Sequence, residues 1–67
     1  MKKISVSLSG HQTSISLEPE FISALQEIAK THSIPIARLI GEIDANRKIG
    51  VNLSSAIRVW ILNYFSK

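Results

Sequence analysis

The chain has no cysteine, three glycines, two prolines and four aromatic residues among its 67 positions. Without thiols, neither a disulfide framework nor a thiolate-held metal can stabilise it. Its two histidines, His11 and His32, stand 21 positions apart with no carboxylate at ligand spacing around either, so no metal site is expected. The scattered glycines make no phosphate-cradling loop, and Ser54 and Ser55 have no histidine base near them in sequence. No catalytic constellation remains; the expectation is a protein that is not an enzyme and takes no cofactor. Long apolar runs are missing too. The most apolar window, Val59 to Leu62, sits inside a helical pattern of about 14 residues, against the roughly 20 needed to cross a bilayer. Lys2 and Lys3 have the charge of a leader segment, but serines at 5, 7 and 9 interrupt the apolar core it would need. A cytoplasmic location is the expectation.

What is present is a mild basic excess, eight Lys and Arg against five Asp and Glu, giving a net charge of +3 and a pI of about 9.7. No polybasic run forms, and the balance is compatible with a nucleic-acid partner. The apolar share is 45%, ordinary for a globular chain. A domain of this size buries only about 60% of the surface its unfolded chain exposes, so association with a second copy is the natural further source of stability.

The stretch 12 to 17, Gln-Thr-Ser-Ile-Ser-Leu, alternates strictly and runs straight into Glu18-Pro19-Glu20. Alternation puts Thr13, Ile15 and Leu17 on one face and Gln12, Ser14 and Ser16 on the other. A lone strand is not stable in water, so this one needs a partner strand. An echo supplies one candidate: Ser5-Val6-Ser7-Leu8 recurs nine positions later as Ser14-Ile15-Ser16-Leu17, with Ser9-Gly10-His11 between, which suggests a hairpin. Either copy can also pair across a dimer axis, the second being favoured because it joins a helix directly.

Pro19 suits a first helical turn and Glu18 and Glu20 suit the positive end of a helix dipole. The first helix should therefore span about 19–31, with Phe21, Ala24, Leu25 and Ile28 on its apolar face and Ala29 widening it. Pro35 bars helical geometry at Ile34. A second helix over about 35–48 places Ile36, Leu39, Ile40 and Ile43 at core spacing and fades through Asn46, Arg47 and Lys48 before Gly50. Asn52 is a good N-cap for a third helix, about 53–66, with Leu53, Ala56, Ile57, Trp60, Ile61, Tyr64 and Phe65 on its stripe. Val59 and Leu62 fall outside that stripe, so this helix is apolar around much of its circumference and should be covered on more than one side. Trp60, Tyr64 and Phe65 belong to core or subunit contact, since the basic polar face of a membrane-surface helix is missing.

The order strand, helix, turn, helix, with an alternating strand and Glu18-Pro19-Glu20 opening the first helix, resembles the ribbon-helix-helix family of Arc and MetJ-type repressors. The resemblance is to a short bacterial branch with an extra C-terminal helix. It rests on Gly10-His11, the run from Thr13 to Phe21, Glu42-Ile43-Asp44, and Asn52-Leu53-Ser54-Ser55-Ala56-Ile57-Arg58. It implies an α+β fold, one domain over 1–67, in an intertwined homodimer whose N-terminal segment 1–11 is an arm or hairpin.

The resemblance further implies a DNA-binding transcriptional regulator, expected to be a repressor, that inserts a β-ribbon into the major groove of double-stranded DNA. Gln12, Ser14 and Ser16 would contact bases, with Lys2, Lys3, His11 and Arg38 on the DNA backbone. Ile15, Leu17, Phe21, Leu39 and Trp60 would form the dimer core, in a dimer or a tetramer built from dimers. The ribbon strand itself carries no Arg or Lys, and Pro35 stands where the second helix would offer a phosphate an N–H. Two other readings remain open: an oligomerisation or protein-interaction module of the same fold, or an antitoxin.

Overall fold

The computed structural model describes residues 1–66. Two strands, β1 (Lys2–Leu8) and β2 (His11–Leu17), are followed by three helices, α1 (Pro19–Thr31), α2 (Ile36–Ala45) and α3 (Leu53–Phe65). The strands form one antiparallel hairpin in the register Lys3·Ser16, Ser5·Ser14 and Ser7·Gln12, with Ile4·Ile15 and Val6·Thr13 between these pairs. The partner that β2 requires is therefore β1 of the same chain, and the N-terminal segment is a hairpin rather than a free arm. The cause is local. Ser9 and Gly10 both hold positive φ, 51° and 81°. Two such residues make a type I′ turn, whose twist matches that of the strands it joins.

The hairpin packs one face on the helices. Val6, Ile15 and Leu17 are buried, Ile4 and Leu8 pack against the core, and the opposite face stays open. The core is continued by Ile22, Leu25, Ile28 and Ala29 of α1, Leu39, Ile40 and Ile43 of α2, and Ile57 and Ile61 of α3. Ile22, which the helical stripe read from sequence omitted, is buried, while Phe21 and Ala24 are only partly so. No buried side-chain polar atom among the described residues lacks a partner.

The helix ends have identifiable chemistry. At the end of α1 the Ser33 N–H donates to the Lys30 carbonyl and the Ile34 N–H to the Ala29 carbonyl, with Ser33 at φ 56°. That is a Schellman motif in which serine occupies the left-handed position usually taken by glycine. Pro35 caps α2 from outside the helix. The helix stops at Ala45, short of the Lys48 expected from the pattern. Asn46 closes it, donating from its side chain to the Glu42 carbonyl at 2.9 Å. Arg47 turns away, donating to the Asp44 carboxylate at 2.9 Å and to the Val51 carbonyl at 2.7 Å, and so braces the loop instead. Asn52 caps α3 by accepting from the Ser54 and Ser55 N–H groups.

Candidate nucleic-acid interface

The outward face of the hairpin is built from both strands. Cross-strand pairing brings Lys3 beside Ser16, Ser5 beside Ser14, and Ser7 beside Gln12. Five of these six side chains are exposed and Ser16 is half-buried. No apolar side chain interrupts the face. The hairpin residues 2–17 contain no Asp or Glu, although they hold Lys2, Lys3 and His11. All five acidic residues lie from Glu18 onward.

The turn sets the hydrogen-bonding order. In a two-residue hairpin the closing pair, here Leu8·His11, is hydrogen-bonded, and hydrogen-bonded pairs alternate with non-hydrogen-bonded ones. The outward pairs are then the non-hydrogen-bonded kind, whose side chains approach closest and whose own backbone groups point to the outer edges. Ser16 agrees with this placement: its carbonyl faces away from β1 and accepts from the Ser54 hydroxyl at 3.1 Å.

The junction after β2 is fastened to α3. Arg58 donates from Nε to Glu18 Oε1 at 2.9 Å and from Nη2 to Oε2 at 3.3 Å, a two-pronged grip, while its guanidinium stands 5.8 Å from the centre of the Phe21 ring. These hydrogen bonds from Arg58, aided by a backbone N–H, hold the Glu18 carboxyl below its usual pKa. The acid that directly follows β2 is thereby paired. Asp44 is likewise paired with Arg47.

The remaining residues singled out from sequence fall at different places. Lys2 is exposed opposite Leu17 at the far end of the hairpin, and His11 is exposed beside the turn. Arg38, exposed in the first turn of α2, lines a crevice with Ser7, Leu8 and Ser9 near the hairpin tip, together with the carboxylates Glu42 and Asp44. Ile15, Leu17 and Leu39 are buried by their own chain's helices, whereas Phe21 and Trp60 are half-buried. The larger open apolar surface lies on α3, where Val59, Leu62 and Phe65 are 57%, 65% and 62% exposed.

Sequence reasoning did not place β1 on this face. It placed Lys3 on the DNA backbone and took the ribbon face to lack a cation, whereas the register brings Lys3 onto that face with Ser5 and Ser7. The signal was available: a two-residue turn at Ser9-Gly10 between the echoed segments dictates this pairing.

These features define a class: a basic hairpin with one uninterrupted polar face, mounted on a three-helix core. Residues 1–65 match the ribbon-helix-helix domain, and the chain belongs to that family. Family members are non-enzymatic proteins that form dimers and bind DNA as transcriptional regulators or antitoxins. No curated protein and no solved structure matches the chain. Among the described residues no helix is long and apolar enough to cross a membrane.

Proposed function

We propose that the protein is a DNA-binding transcriptional regulator, acting as a cytoplasmic homodimeric repressor whose β-ribbon surface enters the major groove. The observation that carries this reading is the acid-free polar face of the hairpin, in a chain of the ribbon-helix-helix family. An antiparallel two-stranded ribbon fits the major groove, and amide and hydroxyl side chains can donate to and accept from base edges there. Gln12 pairs with adenine through its amide, and Ser14 and Ser16 serve either kind of base. Lys2, His11 and Arg38 lie around the ribbon at positions suited to phosphates, fixing register while the ribbon selects sequence. The second subunit docks on α3 through Val59, Leu62 and Phe65, with Phe21 and Trp60 beside them.

The same exposed α3 stripe favours a second reading, an antitoxin that binds operator and toxin, or an interaction module without DNA affinity. A salt series separates the two DNA-binding readings from the interaction module. Binding to random duplex DNA, followed by fluorescence polarisation at several ionic strengths, should weaken steeply as salt rises, because each neutralised phosphate releases counterions. Absence of binding at low salt would leave the interaction module standing and remove the regulator.

A further inference from the structure

We propose that the recess between α3 and the α2–α3 loop docks a short segment of another protein, one that presents a large apolar side chain beside a carboxylate. This surface is separate from the hairpin, and the inference goes beyond the DNA-binding reading without depending on it.

The loop is a braced wall. The Val51 N–H donates to the Lys48 carbonyl at 3.1 Å, and Gly50, at φ 88°, takes the left-handed third position that a type II turn requires. Arg47 ties the same turn down through its bonds to the Asp44 carboxylate and the Val51 carbonyl. The recess is therefore preformed, and a segment entering it does not have to order the loop first.

Its lining is apolar and uncovered. Behind the loop, Val51, Ala56, Val59 and Trp60 line a space of about 490 Å³, open to solvent along one side. Val59 is 57% exposed and Val51 38%, while Ile49 at the tip of the turn is fully exposed. Turn positions favour small polar residues, and adjoining exposed apolar groups with a polar rim mark an interaction surface. Trp60 is held by stacking on Tyr64, 5.4 Å between ring centres, so it offers a fixed aromatic wall. An open groove suits a peptide segment better than a small molecule, which needs most of its surface enclosed.

The charge names the occupant. Arg47 and Lys48 stand on the rim, and no carboxylate lines the recess. Arg47 is committed to Asp44, whereas Lys48 makes no ion pair among the described residues. One open cation above an apolar floor complements an apolar side chain with an acidic neighbour. A nucleic acid, with its closely spaced phosphates, is poorly matched by a single open cation over valine and tryptophan. The second subunit has a different face: Phe21, Leu62 and Phe65 surround a separate recess on the α1 side of α3, and Val59 is the one residue common to both.

The test uses the full chain. Dodecapeptides are selected from a random phage-displayed library on the immobilised protein. One enriched, tryptophan-free peptide is then synthesised and titrated against the emission of Trp60, the chain's single tryptophan. Enriched sequences should place Asp or Glu beside a large apolar residue, and binding should shift the emission. Lys48→Glu should raise the peptide Kd by about tenfold, and a peptide with its carboxylates exchanged for lysine should regain affinity for that variant. Val51→Gln should raise the Kd by about fivefold, while Leu62→Gln on the other flank should leave it within about twofold. Should Lys48→Glu lose the parent circular dichroism, Lys48→Gln replaces it, with a rise of about threefold. Selection of no peptide, or of peptides whose binding these Lys48 changes leave untouched, would overturn the proposal. So would a Lys48→Glu effect on the dimer constant in place of peptide binding, which would give the recess to a second copy, or a loss confined to duplex DNA, which would give it to nucleic acid. A wild-type chain that binds no DNA would refute the regulator reading and leave this one standing.

Discussion

Replacing Leu62 with glutamine should weaken self-association without weakening the fold. Leu62 is 65% exposed in the single chain, so its side chain contributes little to the core that Ile57 and Ile61 fill from the same helix. Full burial of a leucine stabilises by about 1.5–3 kcal/mol, and the still-open part is then worth about 1–2 kcal/mol. A two-fold interface uses the same patch on both subunits, so the change counts twice, about 2–4 kcal/mol per dimer. At tenfold per 1.4 kcal/mol the dimer Kd should rise roughly 30- to 1,000-fold. Sedimentation velocity across a dilution series measures that constant. Urea unfolding, at a concentration where both proteins are monomeric, should give the same midpoint for variant and parent. A dimer constant unchanged within about threefold would show that the α3 stripe is not where the subunits meet. A lowered midpoint of the monomer would show that Leu62 is part of the chain's own core.

Two further outcomes concern the two ends of α1. Ser33→Gly should stabilise the chain by about 0.5–1 kcal/mol, because relief of left-handed strain exceeds the extra freedom glycine has when unfolded; the melting temperature should rise by about 2–8 °C, whereas Ser23→Gly inside α1 should lower it. Glu18→Gln removes the charge from the Arg58 grip. Because the folded pKa of Glu18 is lowered, its stabilisation is complete above the carboxyl's unfolded pKa and fades as pH falls through the lowered folded value. The urea midpoint of the parent should therefore exceed that of Glu18→Gln near neutral pH and converge on it once the pH has fallen below the lowered folded pKa; a gap independent of pH would mean that Glu18 acts through packing alone.

Local chemistry was readable where the cause lies within a few residues. Strict alternation assigned Ile15 and Leu17 to the buried face and Gln12 and Ser14 to the open one, and the Asn52 cap opens α3 as its side chain requires. What escaped depends on distant parts of the chain. Glu18 and Arg58 are 40 positions apart, so nothing in their neighbourhoods announced the grip, nor that of Ser54 on Ser16 across 38. The end of α2 was misplaced because Arg47 and Lys48 suit a helix C-terminus equally well inside or just beyond it. Asn46 decides the matter by capping, which composition does not encode. Ile22 was passed over for Phe21 because their neighbouring positions both lie near the apolar stripe; the packing of α1 against α2 and α3 buries the smaller side chain and leaves the ring to Arg58.

The two-residue turn at Ser9-Gly10 has an evolutionary corollary. Since β1 and β2 are adjacent in sequence, every outward side chain of the ribbon is written in one uninterrupted stretch, positions 3 to 16, at alternate places that contribute nothing to the interior. Outer face and scaffold are thus interleaved residue by residue yet chemically independent. Exchanging the outward six for others leaves Val6, Ile15 and Leu17 to keep packing as before. Such a chain can change the chemistry of that face by point substitutions without first surviving a loss of structure, and its hairpin is a segment suited to grafting between relatives that share the helical base.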